Sequence, residues 1–265
     1  MQQPINYGDL LNSRKYDRTK SVKQQHITFT IQDKIIAQLG SYCVFTGQAK
    51  SGKSTFISAT IASAFIPDFQ DNYGIKLKFP PNRRRICYFD TESAEYDFYK
   101  QIDKIKYFCT KKQLPGEIDA FNTREDAPKA IREMIVHYLK TTPECSILVI
   151  DGFLDLCFNY NDEVETRLLT NWFKKITKEH NITLIGVLHT GKGSGETLGH
   201  LGSNTDRWAN STLIVEKNKQ TQQFVLKPKF LRSSDEFEPI AIQNFDGKWH
   251  QVQYIESDIK PIKKK

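Results

Sequence analysis

Eight consecutive residues, Gly47-Gln-Ala-Lys-Ser-Gly-Lys-Ser54, satisfy the pattern G-x-x-x-x-G-K-[ST] at every fixed position. The glycines let the backbone curl until successive N–H groups face a phosphate, and the start of a following helix adds its dipole. The lysine reaches the β- and γ-phosphates, and the next hydroxyl is a ligand for magnesium. Gly47, Gln48, Ala49, Lys50, Ser51, Gly52, Lys53, Ser54 and Thr55 are therefore expected to bind ATP with Mg2+. Lys53 acts on the phosphates and Ser54 on the metal. Asp151 closes the apolar run 147–150, where a carboxylate can hold the magnesium directly or through water. Glu92 closes Cys87-Tyr-Phe-Asp-Thr-Glu92 and can polarise the water that attacks the γ-phosphate, with Asp90 and Glu95 competing for the role. His189 closes the run 183–188 and can sense the γ-phosphate through a hydrogen bond.

These side chains need a frame of strands that end side by side. Residues 42–46, 86–89, 146–150 and 183–188 are short apolar runs of the kind found in strands buried on both faces. Between them the spacing turns helical, over 54–65, 94–109, 127–139 and 163–180. In the last of these, Val164, Leu168, Trp172, Phe173 and Ile176 lie along one face. Alternating strands and helices predict an α/β fold, a mostly parallel sheet flanked by helices. After Ser211 the segments 212–216, 224–226, 240–244 and 249–254 read as antiparallel strands at the C-terminal edge. The expected organisation is an N-terminal arm over 1–24, flexible or docked on a neighbouring subunit, an ATPase domain over 25–257, and a basic tail over 258–265.

The 265 residues are 38% hydrophobic and 12% aromatic, enough for one large core and too apolar for a disordered chain. A net charge of +7, from 38 basic and 31 acidic residues, permits contact with nucleic acid without requiring it. No apolar run approaches the roughly 20 residues of a membrane helix. The first 20 residues hold no stretch suited to a signal peptide, so a cytoplasmic protein is expected. Cys43, Cys87, Cys109, Cys145 and Cys157 include no CxxC pair and read as buried thiols rather than a zinc site.

The phosphate loop, the strand with Phe-Asp-Thr-Glu92, the strand closed by Asp151 and the strand leading into Leu-His-Thr-Gly-Lys192 resemble the RecA-like ATPases. Within them the chain is most similar, over about residues 26–232, to the RepA and DnaB group of replicative helicase ATPases and to single-domain ATPases of plasmids and mobile elements. The resemblance implies a RecA-like fold, with Lys53 and Ser54 on phosphate and magnesium, Glu92 as catalytic carboxylate, Asp151 as second metal-site acid and His189 as sensor. It also implies a ring of identical subunits, expected to be a hexamer, acting on single-stranded DNA beside replication or mobilisation proteins. Two departures stand out. Leu201 precedes Gly202-Ser203 where many relatives carry arginine, and Glu216-Lys-Asn-Lys219 replaces a Lys-x-Arg element. A basic finger reaching a neighbour's site is then expected from Lys227, Lys229 or Arg232, with Arg232 grouped among the catalytic residues.

Residues 189–202 carry five glycines and are expected to form a mobile loop. In a ring it faces the channel, where Lys192 and Arg207 contact nucleic-acid phosphates; the alternative is a lid over the nucleotide. Arg83-Arg-Arg85 reads as a solvated turn. The function expected is an ATP-hydrolysing, helicase-type motor. The alternatives are a nucleotide-dependent assembly switch that binds a protein partner without unwinding, and a small-molecule kinase. Strand-terminal acids and the lack of an arginine-rich lid disfavour the kinase.

Overall fold

The computed structural model of the protein describes residues 6–67, 72–191 and 199–256. Lys192 and the glycines at 193 and 195 lie outside the described residues. A short polar helix, α1 (Tyr7–Arg14), precedes β1 (Ile27–Ile31), β2 (Lys34–Gln38) and β3 (Tyr42–Gly47), and β3 runs through the phosphate loop into α2 (Lys53–Ser63). Then follow β4 (Ile75–Leu77), β5 (Arg85–Asp90), α3 (Glu95–Phe108), β6 (Ile118–Asn122), α4 (Pro128–Thr141) and β7 (Cys145–Asp151). A 3-10 turn (Phe153–Leu156) leads to α5 (Glu163–Glu179), β8 (Thr183–His189) and α6 (Gly199–Trp208). The chain ends on β9 (Ser211–Lys217), β10 (Phe224–Leu231), β11 (Ile240–Phe245) and β12 (Lys248–Val252).

The main sheet has nine strands in the order β6-β5-β7-β8-β3-β9-β10-β11-β12. From β6 to β9 the pairs are parallel, and from β9 to β12 they are antiparallel. This is the RecA-like α/β architecture with antiparallel strands at its C-terminal edge. β3 and β7 are buried at every residue, because helices cover both faces. On one side α2, α3 and a small sheet, ordered β2-β1-β4, enclose Phe29, Phe45, Phe56, Ile57 and Ile185. On the other, α4 and α5 pack Ile131, Ile135 and Phe173 onto Val44, Leu148 and Ile150. Adjacent parallel strands in register set Gly47 opposite His189 and Asp90 opposite Asp151, so four strand ends open at one edge.

Three sequence expectations need correction. Helix α5 forms, but its inward stripe is Leu169, Phe173 and Ile176 with Thr166, Thr170 and Thr177, while Val164 and Leu168 are 69% and 64% exposed. At 100° per residue those two sit on the neighbouring stripe, and Trp172 marks the border. The inward threonines are satisfied by the helix itself. Thr166 Oγ1 donates to Asp162 O at 2.8 Å, and Thr177 Oγ1 donates to Phe173 O at 2.8 Å. The second correction concerns the glycine-rich segment, because α6 already begins at Gly199. There φ is +62°, and a Cβ would lie 2.3 Å from Asn161 Oδ1. α6 carries the chain back toward the amino end of β9, so Arg207 in its last turn sits at the opposite end of the sheet from His189.

The arginine cluster is also not a solvated turn. Arg83 Nε donates to Pro143 O at 3.0 Å and Nη1 to Asn181 O at 2.7 Å, tying two loops together, and Arg85 pairs with Asp119 at 2.8 Å. All five cysteines are buried and unpaired. Among the described residues no helix is long and apolar enough to cross a membrane.

Candidate active site

β3 delivers Gly47 so close to β9 that a Cβ there would lie 2.2 Å from the Val215 carbonyl oxygen. Gly52 starts α2 at φ +96°, and a Cβ would strike the Phe224 ring at 2.4 Å. Both glycines of the motif are therefore required by packing and, at Gly52, also by backbone conformation. Ser51 Oγ is buried without a hydrogen-bond partner and lies against Gly47, where a Cβ would come within 2.7 Å of it. Lys53 Nζ donates to Gly47 O at 2.9 Å and Gln48 O at 2.8 Å and lies 3.2 Å from His189 Nδ1. Burial lowers its pKa, while Asp151 and Glu92 oppose the shift. These groups and the N-terminal N–H groups of α2 fit a triphosphate.

Asp151 is buried and hydrogen-bonded to the Ser54 side chain. Burial pushes its carboxyl up to about 7, Asp90 and Glu92 add to the rise, and Ser54 and Lys53 oppose it. A hydroxyl and a carboxylate side by side suit Mg2+, which takes few protein ligands and completes its shell with phosphate oxygens and water. Among the described residues no group of three or more His, Cys, Asp or Glu side chains could hold a metal alone. Ser54 and Asp151 would hold the ion only together with the triphosphate, and the ion would supply charge neutralisation there.

Glu92, half-exposed to the cleft, accepts a hydrogen bond from His189 Nε2 at 2.9 Å. Charged Lys53 can only donate, so His189 Nδ1 is the acceptor and its proton sits on Nε2, facing Glu92. The His189 hydrogen bond lowers the Glu92 pKa, partly offset by desolvation, and the carboxylate stays ionised and ready to accept a proton. Its competitors have other work. Asp90 is buried, and its Oδ1 accepts from Glu92 N at 3.1 Å and Ser93 N at 2.8 Å, which shapes the turn. Glu95 is exposed in the first turn of α3, favourable to the helix dipole. The structure thus gathers Lys53, Ser54, Glu92, Asp151 and His189 in one cleft.

It does not gather the basic candidates there. Arg232 Nε donates to Ala209 O at 2.8 Å and Nη2 donates to Arg207 O, which caps the carbonyl end of α6 at the far end of the sheet. Lys229 pairs with Asp206 at 2.7 Å, and Lys227 with Glu216 at 2.8 Å. Of the three, only Lys227 lines the cavity of about 620 Å³ beside the loop, with Gly47, Lys217, Lys219 and Tyr254. Sequence reasoning missed Gln101, whose Nε2 donates to Ser54 O and, at 2.8 Å, to Ser58 Oγ, clamping α3 onto α2. The signal was available: Gln101 occupies a core position among Phe98, Ile105 and Phe108.

A comparison with curated proteins finds no match. Residues 19–195, more than half of the 265, match the family described as AAA domain. With a complete phosphate loop and a Ser54–Asp151 pair at the carboxyl edge of a RecA-like sheet, the chain belongs to that family and is an AAA-type P-loop ATPase.

Proposed function

We propose that the protein is an ATP-hydrolysing motor of the RepA and DnaB type, assembling with copies of itself and acting on single-stranded DNA in replication or mobilisation. The observation that carries the hydrolytic part is the convergence on one cleft of Lys53, the Ser54–Asp151 pair and an accessible Glu92 held by His189. Glu92 accepts the proton of the attacking water, and Lys53 neutralises charge on the transferring phosphoryl group. Self-assembly is supported by the exposed Val164 and Leu168 on α5, with Phe158 also exposed nearby. Lys192 is a proposed strand contact. Arg207 belongs to a different surface, given its place at the far end of α6. The turn between β9 and β10 brings Lys217 and Lys219 to the rim of the cleft as alternatives to the expected finger.

The test is Mg-ATP turnover with and without single-stranded DNA, beside the mass of the assembly. Turnover should rise with DNA and vanish in Lys53→Ala. Assembly driven by ATP without any response to DNA would move the protein to the nucleotide-dependent switches. Turnover surviving in folded Lys53→Ala would overturn the site itself.

A further inference from the structure

We propose that Thr91 and Gly152 are positioning residues for Glu92, acting where β5 and β7 leave the sheet. The inference rests on the reading of Glu92 as the hydrolytic carboxylate. β5 and β7 are parallel neighbours with Asp90 opposite Asp151, and their pairing continues past the strand ends. Thr91 N donates to Asp151 O at 2.8 Å. Gly152 N then donates to Thr91 Oγ1 at 2.8 Å, and that buried hydroxyl donates to Asp155 Oδ2 at 2.7 Å. From the other side, Asp90 Oδ1 grips the N–H groups of Glu92 and Ser93. The backbone that carries Glu92 is therefore anchored both to β7 and to the 3-10 turn behind it.

Anchoring the backbone leaves the carboxylate a gap to cross. β7 separates β5 from β8, and two strand spacings amount to about 10 Å. Glu92 nevertheless meets His189, at the end of β8, at 2.9 Å. It does so over Gly152, where a Cβ would lie 2.7 Å from Glu92 Oε1, while the nearest backbone atom, Val187 O, would be at an ordinary 3.6 Å. The Gly152 backbone is extended, at φ −138° and ψ 161°, a conformation open to any residue. Conformational freedom does not account for this glycine; the passage of the Glu92 side chain does.

The substitutions Gly152→Ala, Thr91→Val and Thr91→Ser, made alone and with Glu92→Gln, test the proposal by steady-state turnover and thermal melts. Gly152→Ala displaces only the flexible tip of Glu92, so its melting temperature should stay near that of the parent. Its kcat should fall about 10- to 100-fold with KM for ATP changed less than about twofold, the scale of a misplacement near 1 Å. Thr91→Val should lower kcat in the same way and Thr91→Ser should restore it. Should Thr91→Val fail to fold, because Gly152 N and Asp155 lose their partner, Gly152→Ala carries the test. In the Glu92→Gln background neither change should lower turnover further, since a residue acting through Glu92 has nothing left to act on. A parental kcat in Gly152→Ala, or an equal loss in that background, would overturn the proposal. Parental turnover of Glu92→Gln alone would show instead that the assignment of Glu92 had failed first, and the proposal would fall with it.

Discussion

Replacing Asp151 by Asn removes a buried carboxylate while keeping an acceptor for Ser54. In the folded protein burial raises this carboxyl from 3.8 to about 7, so the folded state binds the proton more tightly than the unfolded chain. Below pH 3.8 both states are protonated and the group contributes no pH dependence. As pH rises from about 4 to about 7 only the unfolded state ionises, and stability falls by about 1.4 kcal/mol per unit until the folded group ionises too. The carboxylate thus costs about 1.5 kcal/mol at pH 5 and about 4 kcal/mol at pH 8. Asp151→Asn is free of that cost. In EDTA, without nucleotide, its advantage over the parent should be about 2 to 3 kcal/mol greater at pH 8 than at pH 5. That corresponds to roughly 5–10 °C of melting temperature for a domain of this size. Calorimetry at the two pH values reads it directly, and Mg-ATP turnover measured in parallel should drop by orders of magnitude. A difference that does not change with pH, or is larger at pH 5, would refute burial as the dominant influence on Asp151.

Gly186→Ala should destabilise the fold by about 1 to 3 kcal/mol, because its Cβ would lie 1.9 Å from the Phe153 ring, itself stacked 4.3 Å from Phe173; an unchanged urea midpoint would contradict that packing. Arg232→Ala should cost about 1 kcal/mol through loss of its hydrogen bonds to the end of α6, with turnover unchanged at every protein concentration. A large fall in turnover at unchanged stability would restore Arg232 as a finger. Val164→Ser with Leu168→Ser should shift unfolding of the single chain by less than about 0.5 kcal/mol and reduce the mass of any assembly at a given concentration. An unchanged assembly would place the subunit contact elsewhere.

The strands around the site were legible because each is a continuous apolar run closed by a polar residue, and two-sided burial in a parallel sheet writes that pattern directly. The loop was legible because phosphate binding demands glycines at fixed offsets. β1, β2 and β4 were not. β1 and β2 mix fully buried with half-buried residues in no clean alternation, β4 has three residues, and positive φ at Gln32 and Asp33 makes the turn between β1 and β2 without a glycine. β6, at the sheet edge, reads Ile-Asp-Ala-Phe-Asn, too polar to stand out. α5 shows the limit of periodicity. Two adjacent stripes both carry apolar residues, and the one that faces the sheet also holds three threonines whose hydroxyls bond backward along the helix. Sequence alone cannot see that those hydroxyls are already satisfied. The work of Thr91 and Gly152 was invisible for another reason, since it depends on which strand lies between β5 and β8.

That strand order also explains why one edge can hold every side chain of the proposed reaction. β3 is the point where the chain reverses direction across the sheet, with β8, β7 and β5 on one side and β9 to β12 on the other. A crevice opens at such a switch point because the connections leave it on opposite faces. On one side the crevice receives Asp151, Glu92 and His189 from three parallel strand ends. On the other, the β9–β10 turn with Lys217 and Lys219 closes the 620 Å³ cavity against the loop. The acids must sit near Lys53 without collapsing onto it, and the order achieves this by distance. β8 and His189 stand between the lysine and Glu92, so the two charges meet through an imidazole instead of pairing. A direct Lys53–Glu92 ion pair would neutralise both groups to which the proposed hydrolysis assigns a role. The intervening histidine keeps the lysine beside the phosphate loop and the carboxylate where water can reach it.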